Sequence, residues 1–164
     1  MFFNANEIFE IGKQIEVNGG KFYRKAAELA TDPRAKDALR RLAEMEASHE
    51  EIFGELQEKL TQAFAVDQRA MPDFDQQAAN YLKAMATGKI FDVDSDPLKK
   101  IKGGEGPAKL LEIAIDFEKN SVVFFAAMKK MVPDALGKAQ IDVLIDEEIG
   151  HAAMLCEELV KLTP

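Results

Sequence analysis

The chain has 164 residues, 47% of them hydrophobic and 30% charged, which suits one globular domain over residues 1–164 with a core of its own. Its net charge of −8 argues against nucleic acid or an anionic membrane as the main partner. The only cysteine, Cys156, excludes an internal disulfide and a cysteine-rich metal module, and we expect it to fill a small apolar position. Because no basic stretch followed by a long apolar run opens the chain, we expect a cytoplasmic protein.

The first predicted helix runs from about Asn4 to Ala30, because small and apolar residues recur along it at alternating steps of three and four. Only Glu16 and the hydroxyl of Tyr23 interrupt this stripe. The pair Gly19 and Gly20 is compatible with a turn that ends the helix. The periodicity resumes in register beyond them, which favours a continuous helix with either a close approach of another helix or a local bulge at the glycines.

The second predicted helix follows directly. Asp32 has the residue type of an N-cap and Pro33 that of a first helical position, and the helix is predicted to reach about Phe64. Its apolar stripe places Glu46 and His49 between leucines and a phenylalanine. The two helices together form a predicted hairpin over residues 4–64.

Residues 65–106 are predicted to connect this hairpin to a second one. A short helix is expected from about Asp75 to Thr87, ending before a glycine. The acidic run 92–96 looks like the start of a calcium loop, but Pro97 stands where that loop needs glycine and Gly103 where it needs a bidentate glutamate. We therefore predict a solvated loop there, in a connection long enough to cross from one end of a bundle to the other.

The second predicted hairpin covers residues 107–162. Its first helix is expected from the Gly-rich segment before Pro107 to about Val132, and the next is expected to restart at Pro133-Asp134. The stripes of these two helices again carry a few polar residues near mid-length, which are Glu118, Glu148 and His151.

An internal duplication relates the two hairpins. Glu148-Ile149-Gly150-His151 repeats the Glu-x-x-His pattern of Glu46-Ala47-Ser48-His49, and these are the chain's only two histidines. The second pair lies 102 positions after the first, and Glu118 lies 102 positions after Glu16. An all-α, antiparallel four-helix bundle built from two such hairpins would bring six polar side chains to one centre, namely Glu16, Glu46, His49, Glu118, Glu148 and His151.

Four carboxylates in an apolar core repel one another and are costly to bury unless cations neutralise them. Two divalent ions would cancel their charge, and imidazole with carboxylate suits iron, manganese or zinc. We expect Glu16 and Glu118 as terminal ligands, Glu46 and Glu148 as bridges, and one histidine on each ion. The alternative is a set of polar groups paired among themselves at the edge of the core. Two copies of the motif, in core registers and inside a duplication, favour the metal site.

With these motifs the chain resembles the ferritin-like di-iron superfamily, in its rubrerythrin-like branch. The segments Glu16–Tyr23 and Glu118–Phe125 resemble that branch's first and third helix motifs, and the two Glu-x-x-His motifs resemble its second and fourth. The resemblance covers nearly the whole chain apart from the connection. It implies a ferritin-like bundle with two iron ions, acting as a peroxidase that reduces hydrogen peroxide or dioxygen, or as a ferroxidase that oxidises ferrous iron.

Two departures from rubrerythrins proper bear on this function. Those proteins carry an extra carboxylate one turn beyond the third-helix glutamate, where this chain has Ser121, and a rubredoxin module that is absent here. The resemblance therefore implies an external electron donor, such as a rubredoxin-like carrier, and we expect a homo-oligomer such as a dimer. Iron storage and a non-catalytic, metal-stabilised bundle remain alternative functions. Tyr23 is either a plain core tyrosine or a hydrogen-bond donor to a metal ligand or to a bound oxygen species.

Overall fold

The computed structural model describes residues 5–66, 77, 80–82, 84 and 97–162. Its four long helices are α1 (Ala5–Leu29), α2 (Pro33–Val66), α3 (Pro107–Lys129) and α4 (Lys138–Leu162), with short 3-10 turns at Pro97–Lys100 and Asp134–Leu136. The prediction of an all-α helical bundle is confirmed. None of the described helices combines the length and the apolar content needed to span a bilayer.

The helices pack most closely as two hairpins, α1 with α2 and α3 with α4. Tyr23 on α1 lies against Ala114, whereas Phe53, which packs beside Gly12 of α1, stacks against Phe125. Helix α3 therefore runs antiparallel to α1 and in the same direction as α2. The chain between α2 and α3 must join opposite ends of the bundle, as its length predicts.

Most of this connection lies outside the described residues, including the loop predicted at 92–96. Within the stretch predicted as a short helix, residues 77, 80–82 and 84 are helical, and Leu82 is buried in the core. The turn Pro97–Lys100 packs against α1 and places the Lys100 ammonium over the ring of Phe117, with its Nζ 4.4 Å from the ring centroid.

Aromatic side chains fill the core layers on either side of the bundle's middle. Phe22 packs on Phe117 with ring centroids 4.9 Å apart, and Phe53 packs on Phe125 at 5.1 Å. All four rings are buried, and a fully buried phenylalanine contributes roughly 1.5–3 kcal/mol relative to an exposed one. These layers enclose a polar layer from both ends.

The first hairpin forms as its sequence predicts. The Ala35 amide donates a hydrogen bond to Asp32 Oδ1 at 2.9 Å, so Asp32 is the N-cap of α2. Helix α1 continues without a break through Gly19 and Gly20. A Cβ at Gly19 would lie 3.3 Å from Glu46 Cδ, which shows that the glycine allows a close approach of α2.

The second hairpin turns differently, and the prediction that α4 restarts at Pro133-Asp134 is wrong by four residues. Asp134 begins a 3-10 turn, and α4 starts only at Lys138. Between them Gly137 has φ 112°, and a Cβ there would clash with Leu56 Cδ2. A left-handed glycine packed against α2 thus replaces the direct N-cap of the first hairpin.

Cys156 lies on the exposed side of α4, so the prediction that it fills an apolar position is also wrong. The stripe that α4 buries contains Glu148, His151 and Leu155, and Cys156 follows the last of these by one residue. One residue rotates a side chain by about 100° around a helix, which carries the thiol out of the core.

Candidate metal centre

The structure brings all six predicted polar side chains to one centre in the middle of the bundle. Each helix contributes from the face it turns toward the core, and every one of the six residues is at most 4% exposed. Helix α1 supplies Glu16, α2 supplies Glu46 and His49, α3 supplies Glu118, and α4 supplies Glu148 and His151.

Their oxygen and nitrogen atoms form two overlapping clusters of four. One consists of Glu16, Glu46, His49 and Glu148, and the other of Glu46, Glu118, Glu148 and His151. Within each cluster the atoms lie within 4.8 Å of one another, a spacing at which one cation could contact all four groups. Glu46 and Glu148 belong to both clusters, whereas each remaining carboxylate and each histidine belongs to one.

The two imidazoles face each other across this centre. Their ring centroids are 5.4 Å apart and the ring planes are inclined by only 12°. Nδ1 of His49 lies 2.8 Å from Glu148 Oε1 and 3.3 Å from Glu16 Oε2. Nδ1 of His151 lies 3.5 Å from Glu118 Oε2 and 3.6 Å from Glu148 Oε2. In both histidines, then, Nδ1 is the nitrogen that points inward.

Burial among like charges changes the ionisation of the carboxyl groups. Burial and the neighbouring carboxylates hold the pKa of Glu16, Glu46 and Glu118 well above its ordinary value. Burial also acts to raise the pKa of Glu148, but close contacts with Glu118 and with both imidazoles outweigh it and hold that pKa below its ordinary value. Glu148 is therefore the carboxylate that stays ionised in the metal-free protein.

The histidines respond in the opposite sense. Burial alone disfavours the imidazolium form, yet the carboxylates around each ring more than offset it. The close contact with Glu148 and its charge raise the pKa of His49 to about 9, and the contacts with Glu118 and Glu148 raise the pKa of His151 to about 10. Near neutral pH both rings are therefore imidazolium ions. A cation bound in the cluster would displace the proton from the inward nitrogen, Nδ1.

Several atoms of the cluster have no hydrogen-bond partner among the described residues, although water does not reach them. They are Glu16 Oε1, Glu118 Oε2, both carboxylate oxygens of Glu148 and both ring nitrogens of His151. In the described part of the chain, Glu118 Oε2, the Glu148 oxygens and His151 Nδ1 have only ion-pair contacts within the cluster. Buried polar atoms almost always have a hydrogen-bond partner or a metal ion beside them. A group of such atoms without hydrogen bonds therefore indicates a site for a bound ligand. Oxygen and imidazole nitrogen are ligands for divalent transition metals, and the donor set fits a pair of such ions.

Tyr23 contacts this centre from α1. Its hydroxyl donates a hydrogen bond to Glu118 Oε1 and lies 3.5 Å from the Ala114 carbonyl oxygen. Burial and the charge of Glu118 hold the pKa of Tyr23 well above its ordinary value, so the phenol keeps its proton. The sequence allowed Tyr23 to be either a plain core tyrosine or a hydrogen-bond donor at the centre. The contact with Glu118 favours the hydrogen-bond donor.

One contact was not predicted from the sequence. Glu147, whose side chain is 45% exposed, places Oε2 2.7 Å from Nε2 of His49, the nitrogen that points away from the cluster. Its duplicate position is Met45, so a search restricted to repeated residues passes over it. The sequence feature that could have indicated this contact is the position of Glu147 directly before Glu148, on the side of α4 that packs against α2.

Ser121 lies one turn beyond Glu118 on α3 and has a hydroxyl group in place of a carboxylate. It is 7% exposed, and its hydroxyl donates to the Phe117 carbonyl oxygen at 3.1 Å. This hydrogen bond stays within α3, and the six side chains named above remain the acidic and imidazole groups of the described centre.

Comparison with known proteins gives two matches. The sequence model of the Rubrerythrin family matches residues 7–159, which is most of the chain. A solved structure described as that of a ferritin-like diiron-carboxylate protein from Thermotoga maritima is similar with a TM-score of 0.64 and 21% identity, covering 99% of each chain. At that identity the likeness establishes the fold alone. No curated protein matches the chain significantly.

Proposed function

Since the chain belongs to the rubrerythrin family, whose model spans residues 7–159, we propose that it is a non-haem di-iron oxidoreductase that reduces hydrogen peroxide or dioxygen, or oxidises ferrous iron. The observation that carries this proposal is the pair of overlapping Glu and His clusters in the core. Their donor atoms, their burial and their shared carboxylates are what a site for two adjacent cations requires.

The charges of the centre support two divalent ions rather than one. Four carboxylates together carry four negative charges when ionised, and two divalent cations neutralise them completely. Glu46 and Glu148 belong to both clusters and would therefore contribute to both ions. Glu16 and His49 would hold one ion, and Glu118 and His151 would hold the other.

Two adjacent iron ions, when bound, supply the two electrons that one peroxide molecule accepts on reduction to water. The protein's contribution is to exclude solvent with the aromatic layers above and below and to fix the ligands. Tyr23 holds Glu118 in place through its hydroxyl. We propose that a rubredoxin-like carrier returns the electrons, because the single cysteine of these 164 residues cannot form the paired Cys-x-x-Cys site of such a carrier.

Metal analysis and rapid mixing test this function. Protein purified without oxygen is expected to bind two ferrous ions per chain. About one equivalent of peroxide, added in a stopped-flow spectrometer, should then oxidise both ions. Glu51→Gln, at an exposed position on α2, is the matched control and should react like the wild type. Fewer than two bound ions, or no oxidation by peroxide or dioxygen, would contradict the proposal. A particle of many subunits that retains oxidised iron would indicate storage instead.

A further inference from the structure

The two histidines of the centre are held in different ways. Nε2 of His49 lies 2.7 Å from Glu147 Oε2, so its outward nitrogen has a carboxylate partner at the protein surface. Nε2 of His151 is buried and has no hydrogen-bond partner among the described residues. The inward nitrogens do not differ in this way, since both Nδ1 atoms face carboxylates of the cluster.

The sequence explains the difference. The duplication aligns Glu147 with Met45, a position that lies directly before Glu46 as Glu147 lies before Glu148. A thioether sulfur is at most a weak hydrogen-bond acceptor, so Met45 cannot give His151 the partner that Glu147 gives His49. This pair of residues makes the two histidines unequal, just as Tyr23, whose duplicate position is Phe125, makes Glu118 and Glu16 unequal.

We propose that Glu147 is a positioning residue that makes the two cation positions unequal, so that the position of Glu16 and His49 binds a divalent cation more tightly than that of Glu118 and His151. The inference rests on the proposed binding of two metal ions. A carboxylate on the outer nitrogen keeps the proton at Nε2, leaves the lone pair of Nδ1 pointing inward, fixes the ring and makes it a stronger donor.

Titration of the metal-free protein with Co²⁺ tests the inference, because the visible bands of cobalt report its ligation. The wild type should bind two ions in resolved steps. Glu147→Ala should weaken the tighter step by about 10- to 100-fold, the usual effect of removing such a partner, with a smaller change at the weaker step. Glu147→Gln keeps an oxygen acceptor and should lose less. Asp146→Ala removes an exposed charge from the position just before Glu147 on α4 and should bind like the wild type.

A reciprocal variant uses the duplication. Met45→Glu supplies the missing acceptor on the side of His151 and should bring the two binding steps closer together. A structural role for Glu147 in α4 alone would not give this result, because the change is on a different helix.

Nuclear magnetic resonance of the zinc-loaded protein gives a second readout that does not depend on affinity. With histidine labelled with ¹⁵N, only two rings contribute. The Nε2 proton of His49 should exchange slowly in the wild type and rapidly in Glu147→Ala, with the fold unchanged. A wild type that binds no pair of divalent ions would overturn both this inference and the proposed function. Two bound ions with steps that Glu147→Ala leaves unchanged, or weakens equally, would overturn this inference alone.

Discussion

Glu46 and Glu148 occupy equivalent places in the two hairpins, and each contributes to both clusters of the centre. Their surroundings are nevertheless unequal in the metal-free protein. Both imidazoles lie near Glu148, with Nδ1 of His49 at 2.8 Å and Nδ1 of His151 at 3.6 Å, whereas His151 Nδ1 is 3.9 Å from Glu46 Oε1. The pKa is accordingly lowered at Glu148 and raised at Glu46. The shared carboxylates are thus related by position but not by charge state.

The first prediction concerns pH and the stability of the metal-free protein. Five groups of the centre have a pKa that folding raises: Glu16, Glu46, Glu118, His49 and His151. A raised pKa stabilises the fold at low pH, and this contribution is lost as pH rises through the folded value. For the histidines that window runs from their ordinary value of 6.5 to about 9 and about 10. The melting temperature should therefore fall between pH 7 and pH 10.

Thermal melting followed by circular dichroism, with a chelator present, measures this effect. The zinc-loaded protein is the control, because bound cations displace the same protons. Its melting temperature should stay level over that range and fall only as the pH drops below 6.5, where the histidines of the unfolded chain take up protons. A metal-free protein that becomes more stable between pH 7 and pH 10 would contradict the ionisation states described above.

Much of the fold and centre followed from the sequence because both depend on periodicity. Glu16, Glu46 and His49 sit in heptad registers that also hold apolar residues, and the same registers recur 102 positions later. Features that break the duplication were missed. The second turn depends on Gly137 packing against Leu56, a contact between segments far apart in the chain. Glu147 is an ordinary surface glutamate until α2 brings His49 beside it.

The second prediction separates helix stability from metal binding by means of two glycines. Alanine is favoured over glycine inside a helix by about 1 kcal/mol. At Gly19, however, a Cβ would lie 3.3 Å from both Cδ and Oε2 of Glu46 and would displace that carboxylate. Gly19→Ala should thus leave the metal-free fold at least as stable and weaken metal binding on the order of 10-fold.

Gly54→Ala is the matched control, because among the described residues only its own stretch of helix lies within 4 Å of the Cβ that it would add to α2. It should raise the free energy of unfolding by up to about 1 kcal/mol and leave metal binding unchanged. Chemical denaturation and metal titration of both variants provide the comparison. Equal metal affinity in Gly19→Ala and Gly54→Ala would show that the close approach at Gly19 does not position Glu46.

The third prediction concerns the hydroxyl of Tyr23. Tyr23→Phe removes the donor to Glu118 Oε1 and keeps the ring, and Phe125 at the duplicate position shows that a phenylalanine fits such a core site. A buried acceptor left without its donor costs roughly 1–3 kcal/mol. The metal-free variant should be destabilised by about that amount, measured by urea denaturation.

Two metal ions should still bind to Tyr23→Phe, because none of the six cluster residues has been removed. The chain's other tyrosine, Tyr81, is only partly buried, and Tyr81→Phe serves as the control, with an expected cost below that of Tyr23→Phe. A loss of both ions in Tyr23→Phe would mean that the phenol is needed to build the centre and not only to hold Glu118.

The last prediction separates a reactive centre from a structural metal site. Glu46→Gln keeps the volume of the side chain but removes a carboxylate that belongs to both clusters. The variant should lose stoichiometric binding of two ions and, with it, oxidation of the ferrous protein by peroxide. Its metal-free fold should be at least as stable as the wild type, because glutamine is neutral at a position where burial and the neighbouring carboxylates disfavour a charge. Glu44→Gln, exposed on the same helix, should change neither property.

An unfolded metal-free Glu46→Gln, together with a wild type that peroxide does not oxidise, would assign the metals a structural role. We expect the chemistry to be lost and the fold to remain, because the aromatic layers around Phe22 and Phe53 pack without help from the carboxylates.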